Sequence, residues 1–166
     1  MTDLFDGGAA AESNYSAQDI QVLEGLEAVR ARPGMYIGKL GDGSQPDDGI
    51  YVLIKEVVDN SVDEFIMGAG RQIDISIADN VVSVRDYGRG IPLKSLAAAV
   101  GQMNTGGKYG GDAFKKTVGL NGVGVKAVNM LSEEFTARSV RDGEARTVTF
   151  AKGLEAVSYT HLTLPT

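Results

Sequence analysis

The sequence predicts an α+β domain, and three observations carry that prediction. Apolar residues at helical spacing run over residues 50–67, two alternating apolar segments each double back through a two-residue turn, and a glycine-dense stretch between them opens another helix. At 166 residues the chain has room for one domain with a substantial core and little beyond it. Hydrophobic residues make up 43% and charged residues 23%, the balance of a chain that folds and not of a disordered tail.

Residues 1–18 are rich in Gly, Ala, Asp, Ser and Asn without periodicity and are expected to form a mobile arm, with Tyr15 the large apolar residue near its end. The domain proper is expected over 19–153. It opens with Ile20, Leu23, Leu26 and Val29, spaced as a short amphipathic helix that Pro33-Gly34 ends. A turn-rich segment over 38–49 leads into the strongest helix, 50–67. Its residues Ile50, Leu53, Ile54, Val57, Val58, Val62, Phe65 and Ile66 fill one arc, and Gly68 stops it. Glu56, Asn60 and Asp63 fall in a row on the other side.

Ile73, Ile75 and Ile77, then Val82 and Val84 beyond Asp79-Asn80, read as a hairpin that runs into Asp86-Tyr-Gly-Arg-Gly-Ile-Pro92. A helix over 95–103 precedes the glycine-dense stretch 106–124, which opens a helix ending near Leu131. A second hairpin, 135–140 and 146–150, turns at Asp142-Gly143. Residues 154–166 carry an uncharged, threonine-rich run unlike the rest. They are either a foreign extension or a native edge strand stopped by Pro165.

Sixteen Lys and Arg against 22 Asp and Glu give a net charge of −6, the wrong sign for a surface that neutralises duplex phosphates. The absence of cysteine excludes disulfides, thiol nucleophiles and zinc-thiolate sites. A single histidine, His161, excludes histidine-cluster metal sites. No 18-residue apolar run suggests a membrane span, and the first residues do not resemble a signal peptide. Glycine, at 22 residues, stands at about twice the usual share of about 7%.

Three features could carry chemistry. Gly119, Gly122 and Gly124 lie just before a helix, where bare amides and the positive end of the helix dipole favour phosphate oxygens. The same run can also be a plain flexible loop. It matches neither a Walker loop nor the strand-first dinucleotide fingerprint. Asp86, at a strand end followed by Gly88 and Gly90, either points inward to accept a hydrogen bond from the exocyclic amine of adenine or caps the turn. Glu56 and Asn60, one helical turn apart, pair a potential general base with a neutral oxygen ligand for magnesium, or belong to a solvated face.

The combination and its order are more specific. Glu56-Val-Val-Asp-Asn60, then Asp86-x-Gly88-x-Gly90, then the glycines of 119–124 resemble the Bergerat, or GHKL, ATP-binding fold of type II topoisomerases, Hsp90 chaperones, sensor histidine kinases and MutL-type repair proteins. Arg30-Ala-Arg-Pro-Gly-Met-Tyr-Ile-Gly38 and Asn104-Thr-Gly-Gly-Lys108 resemble the ATPase subunits of bacterial type IIA topoisomerases. The long 39–49 loop and Asn121 are more similar to the B subunit of topoisomerase IV than to that of gyrase.

The resemblance covers residues 14–153 and implies a two-layer α/β sandwich, a mixed, mostly antiparallel sheet with helices on one face. It implies that ATP and Mg2+ bind, with Glu56 as the base that activates water, Asn60 holding magnesium and Asp86 on the adenine amino group. Gly90, Arg89, Ile91 and Pro92 would line the pocket. Gly106, Gly107 and Lys108 with Gly119, Leu120, Asn121, Gly122, Val123, Gly124 and Val125 would form the lid over the triphosphate. Tyr15 would reach the nucleotide of a second subunit, and Arg141 would stand at the pocket rim.

It further implies a cytoplasmic enzyme subunit that dimerises on ATP, works with a DNA-cleaving partner subunit and gates DNA strand passage. The chain stops before the transducer lysine, the later strands and the toprim site of that family. ATP binding with little turnover is therefore expected of these residues alone. A non-hydrolysing nucleotide-binding or self-association module, or another GHKL ATPase, is the alternative. A histidine kinase is disfavoured because His161 lies outside any helical dimerisation segment.

Overall fold

In the computed structural model, residues 25–103 and 123–162 are described. The predicted first helix appears as α1, Leu26–Ala31, held by Arg30, whose Nε donates to the Met130 carbonyl at 2.9 Å. Pro33 ends it and also starts the short α2, Gly34–Ile37, because a proline's fixed φ suits the first turn of a helix. Ile20 and Leu23 lie outside the described residues.

The 38–49 loop is organised by one buried carboxylate. Asp48 Oδ2 accepts from the Gly43 and Gln45 backbone amides at 3.0 and 3.2 Å, and Oδ1 faces Lys39 Nζ at 3.3 Å. A side chain on Gly41 would collide with that carboxylate. From this anchor α3 runs over Gly49–Ile66, within a residue of the predicted span.

The hairpin β1 (Ile73–Ala78) and β2 (Val81–Asp86) pairs Ile75 with Val84 and Ile77 with Val82. Asp79 and Asn80 turn it with φ of 51° and 61°, the two left-handed residues that a tight hairpin turn requires. The next predicted helix begins as a 3-10 turn, Leu93–Ser95, and continues as α4, Leu96–Gly101. Helix α5, Gly124–Leu131, leads to β3 (Glu134–Arg141), β4 (Glu144–Ala151) and β5 (Leu154–Leu162).

Among the described residues all strand pairings are antiparallel and fall into two sheets, β1-β2 and β3-β4-β5. Residues 154–162 thus form the edge strand of the larger sheet, entered through Lys152-Gly153 at positive φ. Pro165 lies outside the described residues.

Of two apolar clusters, one holds a helix to the larger sheet and the other holds helix to helix. Leu96 and Val100 of α4 pack on Val148 and Phe150 of β4, with Phe135 edge-on to Phe150 at 6.4 Å between ring centroids. Val29 of α1 packs on Ala127 and Met130 of α5, joined by Leu26, Tyr36 and Met103. Helix α5 therefore lies between α3 and α1, with its first turn beside the polar row of α3.

Candidate nucleotide site

The α5 N-terminus meets α3 at Glu56. A Cβ on Gly124 would overlap the Glu56 carboxylate and lie 2.9 Å from its Cγ, so glycine is what lets that carboxylate reach the helix end. One turn along α3, Asn60 Nδ2 donates to the Glu56 carbonyl at 2.5 Å. With its nitrogen bound to the helix, the exposed Asn60 amide offers its oxygen as the acceptor for a ligand.

Asp86 ends β2, and its Oδ1 accepts from the Gly88 amide at 2.8 Å. The side chain caps the turn, and Oδ2 has no partner among the described residues. Asp86 is exposed and not turned into the interior, because the β1-β2 pair is two strands wide and among the described residues no further strand covers it.

The glycines after it make room for protein atoms. A Cβ on Gly88 would lie 2.6 Å from Glu64 Oε2, and one on Gly90, at φ 72°, would lie 2.6 Å from the Val140 carbonyl oxygen of β3.

Glu64 is the residue that sequence reasoning passed over. It continues the row of Glu56 and Asn60 at the next step of four, and its position on that stripe was the available signal. Its carboxylate takes Arg89 Nε at 3.1 Å, Nη2 at 2.8 Å and the Arg89 backbone amide at 2.9 Å. The Arg89 hydrogen bonds hold the Glu64 carboxyl below its ordinary range. Arg89 thus fastens the 86–92 loop to α3, and its guanidinium carries its charge to a partner already present.

The far side of that loop is tied to the larger sheet. Ser139 Oγ donates to the Ile91 carbonyl at 2.7 Å, Arg146 Nη1 to the Leu93 carbonyl at 2.8 Å, and Arg141 Nη1 reaches the Gly90 carbonyl at 3.5 Å. Ile91 is 39% exposed and Pro92 is exposed, both on the open side. Tyr87 turns away, its hydroxyl donating to Asp74 Oδ2 at 2.6 Å and its ring under Arg85 at 4.5 Å.

The structure therefore brings Glu56 to Gly124 at the N-terminal end of α5, between Val123 and Val125, with Asn60 one turn along α3 and Arg89, Gly90, Ile91, Pro92 and Arg141 around the 86–92 loop. Tyr15, Gly106, Gly107, Lys108, Gly119, Leu120, Asn121 and Gly122 lie outside the described residues. Lys126, on the first turn of α5, is 3% exposed and has no hydrogen bond or ion pair among the described residues.

Residues 46–156, more than half of the chain, match the family described as histidine kinase-, DNA gyrase B-, and HSP90-like ATPase. The chain belongs to this family. Among its curated relatives, the B subunit of DNA topoisomerase 4 from Borreliella burgdorferi is 57% identical over 84% of the chain and 23% of the relative. The B subunit of DNA gyrase from Mycolicibacterium smegmatis is 45% identical over 80% of the chain and 20% of the relative. The chain thus spans about a fifth of the length of these proteins.

A crystal structure of the 43K ATPase domain of Thermus thermophilus gyrase B, in complex with an aminocoumarin, superposes with a TM-score of 0.68 at 28% identity. It covers 85% of the chain and 36% of that domain's chain. As a member of this ATPase family, the chain has the expected α+β architecture of helices and antiparallel sheets. No helix among the described residues is long and apolar enough to cross a membrane.

Proposed function

We propose that the chain binds ATP with magnesium at the end of α5 and forms part of the ATPase subunit of a bacterial type II topoisomerase. The observation that carries this reading is the Glu56 carboxylate lying against Gly124. It sets a candidate base beside unpaired helix amides, where a terminal phosphate would be drawn.

In this reading Glu56 accepts the proton of the water that attacks the γ-phosphate. Asp86 Oδ2, free while Oδ1 caps the turn, accepts from the adenine amine. Gly90, Ile91 and Pro92 border the base, and the glycines of 106–107 and 119–124 with Lys108 close over the phosphates.

Magnesium fits the donors present. No group of three or more acidic or histidine ligands stands among the described residues, and Asn60 offers one neutral oxygen. A cation held by one protein oxygen, waters and substrate phosphates is the ordinary form of magnesium in such sites. When bound, it neutralises charge on the phosphates.

The larger role follows from the relatives. Within a longer subunit, ATP would join two such domains through Tyr15 and open or close a gate for DNA, alongside a DNA-cleaving partner subunit in the bacterial cytoplasm. Topoisomerase IV is the nearer type, by identity to the Borreliella protein. Residues 1–166 alone should hydrolyse ATP at or near background, since that family draws charge for the γ-phosphate from a lysine on a later domain. Robust turnover that Glu56→Ala abolishes would contradict this.

Calorimetric titration with a nonhydrolysable ATP analogue and magnesium tests the site. Binding that GTP does not displace and that Asp86→Asn removes supports it, because asparagine keeps an oxygen for Gly88 but loses the carboxylate. Absence of binding by the folded chain overturns it.

A further inference from the structure

Asn129 of α5 is wholly buried, with 0% of its surface exposed. Its Nδ2 donates to the Val100 carbonyl at 3.0 Å, across 29 residues of sequence. That carbonyl is one of the last four of α4, which a helix leaves without donors of its own. The other half of the amide, Oδ1, has no hydrogen bond among the described residues. A buried amide oxygen without a donor is destabilising, and a leucine would fill the same space without one. An amide thus stands where packing alone favours an apolar side chain, and the bond it makes ties α5 to α4.

Helix α4 is itself fixed to the larger sheet. Leu96 and Val100 pack on Val148 and Phe150, and a Cβ on Gly101 would lie 2.7 Å from the Phe150 ring. Helix α5 has only eight residues, and Ala127 and Met130 meet Val29 of α1 through apolar contact. Such contact is non-directional and lets a helix of about two turns slide or rotate along its neighbour. A hydrogen bond fixes distance and angle. Arg30 makes one at the last turn of α5, on the Met130 carbonyl, and Asn129 makes another toward α4.

The seat of α5 matters at its other end. Gly124 lies about 7.5 Å along the axis from Asn129, and it meets a carboxylate carried by a different helix, Glu56 of α3. A slide or rotation of α5 therefore moves its first amides relative to Glu56. The 86–92 loop is insulated from such a shift, because Glu64, Ser139 and Arg146 hold it to α3, β3 and β4.

We propose that Asn129 is a positioning residue of the nucleotide site: through its hydrogen bond to Val100 it seats α5 so that the amides at Gly124 stand beside the Glu56 carboxylate. The proposal rests on the ATP reading and adds to it a residue that touches neither nucleotide nor magnesium. Its loss is felt at the phosphates and not at the adenine.

The test separates the two ends of the nucleotide and separates position from stability. Affinities of the full chain for adenosine and for a nonhydrolysable ATP analogue with magnesium are measured for wild type, Asn129→Leu and Ile37→Ala, together with melting temperatures. Leucine keeps the volume of Asn129 and loses the donor. Ile37, buried against Gly49 at the start of α3, supplies a loss of stability that leaves the Val100 bond in place. Asn129→Leu should weaken the analogue about tenfold or more, the worth of one hydrogen bond to a charged phosphate, and leave adenosine within about twofold. Ile37→Ala should lower the melting temperature and leave both affinities within about twofold.

Unchanged affinity of Asn129→Leu for the analogue overturns the proposal while leaving the ATP reading intact. So does an equal loss for adenosine, or a loss of analogue affinity in Ile37→Ala as large as that in Asn129→Leu, either of which would make Asn129 a packing residue. A wild-type chain that binds neither probe overturns both readings. Should the leucine variant fail to fold, Asn129→Ser, whose hydroxyl is too short to reach Val100, is read by the same criteria.

Discussion

Arg89 lays its guanidinium along the Glu64 carboxylate, Nε on Oε2 at 3.1 Å and Nη2 on Oε1 at 2.8 Å, and its own backbone amide shares Oε2. The same carboxylate occupies the space that a side chain on Gly88 would need. One side chain of α3 thus fixes the near side of the loop after β2, next to Asp86, while Ser139 and Arg146 tie its far side to the larger sheet.

Glu64→Ala should therefore loosen the loop more than a surface ion pair would. It leaves the Arg89 amide without its acceptor as well as breaking the pair. A destabilisation of about 1–2 kcal/mol is expected, with weaker adenine binding. Denaturant unfolding together with adenosine titration checks it, and a variant with unchanged stability and affinity would show that the loop is held elsewhere.

The same pair sets an acid-side pH dependence. Folding lowers the Glu64 pKa from its ordinary 4.5, so the folded state binds its proton less readily than the unfolded chain. Its contribution is complete above about pH 4.5 and is lost as pH falls through the lower folded value, while Arg89 stays charged throughout. Melting temperature against pH should fall less steeply below pH 4.5 in Glu64→Gln than in wild type, from a lower plateau. Parallel curves would contradict this assignment.

Gly90→Ala tests the other side of the loop. At φ 72° an alanine is strained, and its Cβ would press on the Val140 carbonyl at 2.6 Å and Ser139 Oγ at 2.9 Å. Backbone cannot yield as a flexible side chain can, so a loss of about 1–3 kcal/mol is expected, with the Ser139 to Ile91 hydrogen bond broken. Equilibrium unfolding reads the loss, and a wild-type midpoint would mean that β3 stands farther from the loop in solution.

Periodicity was enough to place the helix over 49–66 and both hairpins, because α3 spaces its apolar residues at 3.6 and the strands alternate at two. The third hairpin escaped it. Lys152-Gly153 is as much a two-residue turn as Asp142-Gly143, with φ of 51° and 81°, but a lysine is a weak turn signal and the strand after it alternates poorly.

That Glu56 and Asn60 stand one turn apart on α3 could be read from their spacing. The pairing of Glu64 with Arg89, 25 residues apart, could not. A one-dimensional pattern shows that a residue lies on a stripe, while its partner depends on how the hairpin folds back over α3. The glycines of Asp86-x-Gly-x-Gly show the same limit. They suggest close approach by a ligand, yet the atoms that approach them belong to Glu64, Ser139 and Val140.

Gly124→Ala distinguishes a structural glycine from a functional one. As the first residue of α5, Gly124 lies in ordinary helical backbone, and alanine there favours the helix by about 0.5–1 kcal/mol. The added methyl enters the space of the Glu56 carboxylate, which sits at the end of a flexible side chain and can swing aside. Stability should therefore stay within about 1 kcal/mol of wild type. The approach to the helix amides would be narrowed, and the base displaced from it. Affinity for a nonhydrolysable ATP analogue should fall about tenfold or more while adenosine, which the proposed function assigns to Asp86, binds as before. Unfolding of the variant would make the glycine a packing requirement, and undiminished affinity for the analogue would place the phosphates away from the α5 N-terminus.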